Sequence, residues 1–132
     1  MKPVMQKSLD LGSGDCLRAC LASILECELA EIPNLSALSE SLADQLANED
    51  AFLASRGLRA IRCHMTGGYE SGDVFFVFDG YGIAWGKSPR AQTQHCVVVT
   101  HDDGMLRVAH DPHPDGIGIA GEFCGVSWIV PK

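Results

Sequence analysis

Apolar residues near the start of the chain recur at intervals of three and four, which is the spacing of one face of a helix. Cys16, Cys20 and Ile24 lie on this face, and neighbouring leucines widen it. A helix that is apolar around most of its circumference belongs in the interior of a protein. The pattern therefore predicts a central helix over residues 16–27, with Asp15 as its N-cap.

A second helix is predicted over residues 37–55, with Ser36 as its N-cap and Gly57 just beyond its end. Its expected apolar face consists of Leu38, Leu42, Leu46, Phe52 and Leu53. Acidic residues, among them Glu49, form the face that is expected to contact water.

After Gly57 the spacing of apolar residues changes from three or four to two, which is typical of strands. Strands are predicted over residues 58–65, 74–78, 81–85, 95–100, 105–110 and 125–130. Two helices followed by antiparallel strands make an α+β fold. A chain of 132 residues is long enough for one such domain.

Charge and hydropathy narrow the range of partners. The net charge is −7 and no stripe of Lys and Arg is present, so we expect no nucleic-acid partner. No apolar run is long enough to cross a bilayer and no secretory signal is recognisable, so we expect a cytoplasmic protein with no membrane partner. Oligomeric state has no signature in the sequence.

Six cysteines occur, at positions 16, 20, 27, 63, 96 and 124. In a reducing compartment they are expected to be free thiols, most of them small apolar residues in the core. A structural zinc site is the alternative, but no Cys-x-x-Cys pair is present, so no metal or other cofactor is predicted.

Cys16 allows two interpretations. At a helix N-terminus the backbone dipole and the unpaired N–H groups favour the thiolate, which is the nucleophilic form. Asp15 opposes this effect unless its carboxylate caps the helix. The other interpretation is a buried structural cysteine, which is the more common role of a free cysteine.

A hairpin over residues 95–110 offers a base for this thiol. If residues 102–104 form a three-residue loop, His95 lies opposite Asp111 on the same face of the sheet. A two-residue turn at 103–104 instead places the two side chains on opposite faces. A His–carboxylate pair is thus predicted, conditional on the turn.

Three separated stretches carry a resemblance to a known family: DCLRACLASI at residues 15–24, HCVV at 95–98 and Asp-Pro at 111–112. Together they resemble the papain-like cysteine peptidases, and most closely the bacteriocin-processing (double-glycine leader) peptidase domains. Short uncharacterised bacterial and phage proteins share a similar pattern. The resemblance implies a papain-like fold, with N-terminal helices packed on an antiparallel β-sheet.

By this resemblance Cys16 is the nucleophile, His95 the base and Asp111 the residue that orients His95. Gln6 is the candidate oxyanion donor, although it lies farther upstream than in the family, and Leu17 replaces the family's glycine beside the substrate. The implied function is a cysteine hydrolase that cleaves a peptide, protein or small amide substrate. An acyltransferase or transglutaminase-like enzyme, or an inactive binding or inhibitory module, are the alternatives.

Two further polar stretches have open interpretations. Ser88 and Arg90 flank a proline, which is typical of a simple turn. The alternative is a site where the guanidinium of Arg90 binds a substrate carboxylate. The HDPHPD stretch at residues 110–115 fits a loop at the edge of the cleft better than a metal site, because neighbouring side chains of an extended segment diverge.

Overall fold

The computed structural model describes residues 1–9, 15–35, 40–64, 79–102 and 105–132. Its elements are α1 (Cys16–Leu25), a 3-10 turn (Leu29–Glu31), α2 (Leu42–Ser55), β1 (Leu58–His64), β2 (Gly82–Lys87), β3 (Gln94–Asp102), β4 (Met105–His110) and β5 (Ala120–Pro131). The predicted α+β class is confirmed. The strand predicted over residues 74–78 lies outside the described residues.

The five described strands form one antiparallel sheet in the order β1-β5-β2-β3-β4. Helix α1 packs against β3 and β2, whereas α2 packs against β1. Alternation along β3 divides the core, because Val98 belongs to the cluster around α1 while Val97 and Val99 belong to the cluster with Trp128. Both clusters meet at the strand that begins with Gln94 and His95.

Helix α1 differs from its prediction at both ends. It ends at Leu25, because Glu26 takes a left-handed conformation with φ of 56° and its N–H donates to the carbonyl of Ala22. At the other end, Asp15 occupies the N-cap position but its side chain does not cap the helix. The predicted side-chain cap is therefore wrong, since this carboxylate binds backbone N–H groups of the N-terminal segment instead.

Helix α2 begins later than predicted, at Leu42, with Ser41 as its N-cap. The Ser41 hydroxyl accepts the N–H of Asp44 at 3.1 Å, and residues 36–39, including Ser36, lie outside the described residues. Two predicted orientations are wrong. Leu42 is 70% exposed. Glu49 is buried, and Arg62 of β1 lies 3.4 Å from its carboxylate and compensates its charge.

The hairpin reaches the predicted His–carboxylate pair by a different route. Asp102 pairs with Met105, so the three-residue loop is wrong, and residues 103–104 lie outside the described residues. A bulge then leaves Ala109 unpaired, because Val99 opposes Val108 while Val98 opposes His110. The observed turn is one residue shorter than the predicted loop, which alone would move Asp111 to the other face of the sheet. The extra residue at the bulge shifts the register by one and so offsets this difference.

Continuing this register by one residue places Asp111 opposite Val97. Val97 lies two positions along β3 from His95, so Asp111 and His95 share a face of the sheet. The bulge thus brings the two side chains to the same face despite the different turn.

All six cysteines are free thiols. Cys20 and Cys63 are buried as predicted, but Cys124 is exposed, which contradicts the prediction that it belongs to the core. Among the described helices none is long and apolar enough to cross a membrane.

The same substitution, leucine to alanine, at two positions of α2 tests how this helix packs. Leu53 is fully buried, whereas Leu42 is mostly exposed. We expect Leu53→Ala to lower the free energy of unfolding by about 2–5 kcal/mol through loss of buried area and creation of a cavity. Leu42→Ala is expected to change it by less than about 0.5 kcal/mol. Urea unfolding followed by circular dichroism measures both, and similar losses in the two variants would contradict the observed orientation of α2.

Candidate active site

Cys16 is the first residue of α1 and is only partly exposed. The first turn of a helix has backbone N–H groups without intrahelical acceptors, and the helix dipole makes this end positive. Because the Asp15 carboxylate does not cap α1, it leaves these N–H groups to other acceptors. An anion, either a thiolate or an oxyanion, is stabilised at this position.

His95 and Asp111 form a short, buried hydrogen bond. Nε2 of His95 donates to Oδ1 of Asp111 at 2.7 Å, and the two side chains are 4% and 5% exposed. The carboxylate also accepts the backbone N–H groups of His113 at 2.9 Å and of Gly118 at 2.7 Å. Three donors therefore hold one carboxylate, and they fix both its position and the plane of the imidazole.

The charges of this pair follow from its contacts. Burial alone would raise the pKa of Asp111, but the hydrogen bonds from His95, His113 and Gly118 lower it below its ordinary value. For His95, burial opposes the charged form, yet hydrogen bonds to Asp111 and Cys16 raise its pKa to about 9. At neutral pH the imidazole is thus protonated beside a carboxylate.

Cys16 completes this group. A hydrogen bond from the Cys96 thiol makes the largest contribution to its acidity, and burial opposes it. A hydrogen bond and the positive charge of His95 act in the same direction as Cys96, so the pKa of Cys16 is lowered to about 5. Since Nε2 of His95 is bonded to Asp111, Nδ1 is the ring nitrogen left for the thiol.

Cys96 is a site residue that the sequence analysis assigned only to the core. Its hydrogen bond to Cys16 and its burial raise its pKa well above the ordinary value, so it remains a thiol and donates. Burial likewise raises the pKa of Cys20, one turn along α1. The signal for Cys96 was its position two residues before Val98 on β3, because alternate residues of a strand share a face and Val98 faces α1.

The HDPHPD stretch and Arg90 form a second, connected layer around His95. The rings of His113 and His95 meet edge to face with centroids 6.3 Å apart. Asp115 contacts both the His113 ring at 3.1 Å and the Arg90 guanidinium at 2.7 Å. Arg90 is thereby paired with a carboxylate of its own chain, at the edge of the loop that carries Asp111.

Ser88, Leu17 and Gln6 have mainly structural contacts. The Ser88 hydroxyl accepts the N–H of Arg90 at 3.2 Å, as in a simple turn. Leu17 packs against the core cluster around α1. Gln6 lies near Asp111, because its backbone N–H donates to the carbonyl of Pro112 at 3.0 Å. Its side-chain amide, however, donates to the Ser8 carbonyl at 2.9 Å, so that group is already engaged.

The residues brought together are thus Cys16, His95, Asp111 and Cys96. Within the described ranges, no set of three or more His, Cys, Asp or Glu side chains is arranged to hold a metal ion. A thiolate beside an imidazolium, oriented by a carboxylate, is suited to nucleophilic attack followed by proton donation.

Comparison with protein-family models gives no match for this sequence, and comparison with curated proteins finds no similar sequence either. The chemistry of the site must therefore be argued from its own geometry.

The ionisation of this site can be measured by alkylation. Because the pKa of Cys16 is about 5, its reaction with iodoacetamide should proceed at a constant rate from pH 6 to pH 8 and slow below pH 5, as the thiolate is protonated. His95→Ala removes a hydrogen bond and a positive charge, so the pKa of Cys16 should rise and the rate at pH 6 should fall about tenfold or more. Mass spectrometry of the modified peptides measures each cysteine separately.

His101→Ala is the matched control, since His101 contacts Asp79 and Trp128 instead of Cys16. It should leave the rate at Cys16 unchanged. A Cys16 rate that rises only near pH 8–9 in the unaltered protein is incompatible with an activated thiolate.

Proposed function

We propose that this protein is a cysteine hydrolase with a papain-like arrangement, which cleaves a peptide or related amide bond. The observation that carries the proposal is the buried 2.7 Å hydrogen bond between His95 and Asp111, together with a Cys16 thiol whose pKa is lowered to about 5 by interactions that include His95. Packing of α1 against the sheet, with the thiol at its N-terminus, supports the same arrangement.

In the first half of the reaction the Cys16 thiolate attacks the substrate carbonyl carbon, forming a C–S bond. The negative charge moves to the carbonyl oxygen, near the backbone N–H groups at the start of α1. As the C–N bond breaks, the His95 imidazolium gives its proton to the leaving amine. The products are a thioester on Cys16 and a neutral imidazole.

In the second half, His95 takes a proton from a water molecule that attacks the thioester. The carboxylic acid leaves, the Cys16 thiolate returns, and His95 is again protonated. Asp111 keeps the ring oriented through both halves and stabilises its positive charge. This cycle uses no metal or organic cofactor. Free thiols are needed throughout, which fits our proposal of a cytoplasmic location.

A binding or inhibitory module without catalysis is the second candidate. The side-chain amide of Gln6 donates to the Ser8 carbonyl, so it is engaged within the chain and not held free for a substrate oxygen. If no other side chain replaces it, the α1 backbone N–H groups stabilise the oxyanion without a side-chain donor. Removing one such donor from an enzyme costs about 10²–10³ in rate, so this observation favours a weak or absent activity.

Labelling with peptides that carry a vinyl sulfone tests the catalytic proposal. We expect such probes to modify Cys16 selectively and Cys16→Ala to abolish the labelling. Asp111→Asn should slow it about 10²-fold or more, because the amide leaves His95 without a charged partner and alters its tautomer. Asp102→Asn, at an exposed position of the same hairpin, is the matched control and should react as the unaltered protein does.

Turnover of a peptide library, with products identified by mass spectrometry, separates the candidate functions. New carboxyl termini indicate hydrolysis, and their replacement by amide adducts when a primary amine is added indicates an acyltransferase. Labelling or turnover that is the same in Cys16→Ala and in the unaltered protein contradicts both catalytic functions.

A further inference from the structure

Residues 4–8 belong to no helix or strand, yet they bind the direct sequence neighbours of Cys16 and of Asp111. The segment is anchored near the C-terminal end of α1, where the Val4 N–H donates to the Ser23 hydroxyl at 2.9 Å. Just before it, the Lys2 N–H donates to the Ser23 carbonyl at the same distance. We call residues 4–8 the N-terminal strap.

The strap binds the residues on both sides of Asp111, the side chain of His110 and the backbone of Pro112. Nε2 of His110 donates to the carbonyl of Val4 at 2.8 Å. The Gln6 N–H donates to the carbonyl of Pro112 at 3.0 Å. Residues 110 and 112 are therefore both tied to the strap, and Asp111 lies between them.

The strap also binds the residue directly before Cys16. The N–H groups of Lys7 and Ser8 each donate to one oxygen of the Asp15 carboxylate, at 3.2 Å. Asp15 is only 6% exposed, and a buried carboxylate requires such donors because burial without them is costly. These two bonds occupy the carboxylate that was expected to cap α1.

We propose that the N-terminal strap is a positioning element which holds Cys16 and the Asp111–His95 pair at reacting distance, with Asp15 as its positioning residue. The two halves come from distant elements, the start of α1 and the residue after β4. Within the described residues, these elements are otherwise connected through β3, which packs against α1 and pairs with β4. A misplacement of about 1 Å between reacting groups is enough to cost a large part of the rate. This proposal rests on the proposed function, since it concerns the same thiolate and imidazole.

A simpler role for Asp15 makes the opposite prediction. A carboxylate beside Cys16 disfavours the thiolate, so if Asp15 contributed only its charge, removing that charge would lower the pKa of Cys16. If Asp15 positions Cys16, losing its bonds to the strap moves the thiol away from His95 and raises that pKa. The two roles therefore differ in sign.

Asp15→Ala and Asp15→Asn separate these roles, because both remove the charge but only Asn keeps an acceptor oxygen for the strap. We expect Asp15→Ala to raise the apparent pKa of Cys16 by about one unit, so that alkylation at pH 5 is about fivefold slower than in the unaltered protein. Asp15→Asn should remain close to the unaltered protein. The measurement is the rate of iodoacetamide modification of Cys16 against pH, at a temperature where circular dichroism shows each variant to be folded.

Asp44→Ala removes an exposed aspartate from the start of α2 and is the matched control, with no change expected. Equal pKa values of Cys16 in Asp15→Ala and Asp15→Asn would overturn the strap proposal. So would a lower value in both, which is the signature of charge alone.

The other end of the strap offers an independent pair, which carries the test if Asp15→Ala does not fold. His110→Gln keeps an N–H donor for the Val4 carbonyl, whereas His110→Ala removes it. We expect slower alkylation of Cys16 at pH 5 in His110→Ala than in His110→Gln, and equal rates overturn the proposal. If the pKa of Cys16 in the unaltered protein is that of an ordinary thiol, both the strap proposal and the proposed function are contradicted. If that pKa is low but the paired variants alkylate at equal rates, only the strap proposal is contradicted.

Discussion

The buried hydrogen bond between His95 and Asp111 is the constraint on which the rest of the candidate site depends. A carboxylate that is 5% exposed has little water to solvate it, so it needs donors from the protein. The backbone N–H groups of His113 and Gly118 supply two of them and thereby define the path of the loop after β4. Gly118 supplies its N–H from a backbone with φ of 86°, a conformation that glycine adopts at little cost.

Hydrogen bonding, more than burial, determines which of the neighbouring cysteines has a lowered pKa. Burial alone disfavours the thiolate for Cys16, Cys20 and Cys96. Only Cys16 receives hydrogen bonds from both a thiol and an imidazolium, so only its pKa falls. Cys96 is the donor in one of these bonds and becomes less acidic as a result. Two thiols in contact thus have opposite protonation states at neutral pH.

Local patterns in the sequence were sufficient for the α+β class and for the order of the described helices and strands. Periodicity predicted the start of α1 and the bounds of β4. Cys16 became a candidate through its place at the helix N-terminus, and His95 and Asp111 through the family resemblance and a hairpin register whose assumed turn is wrong. Periodicity could not show that Asp15 binds the strap, because the donors are backbone groups of a segment without regular structure. The burial of Glu49 was likewise hidden, since its partner Arg62 lies on another element. Periodicity shows which residues face the interior, but it does not show which distant residue each buried polar group will bind.

Because of the bulge at Ala109, the packing of the hairpin and the placement of Asp111 depend on different parts of β4. On the turn side of the bulge, Leu106 pairs with His101 and is buried in the core; on the other side, the same strand delivers Asp111 to His95. A hairpin that lost the extra residue would still bury Leu106, but it would direct Asp111 to the opposite face of the sheet. A single backbone position therefore decides whether His95 has a carboxylate partner, whereas the burial of Leu106 does not depend on it.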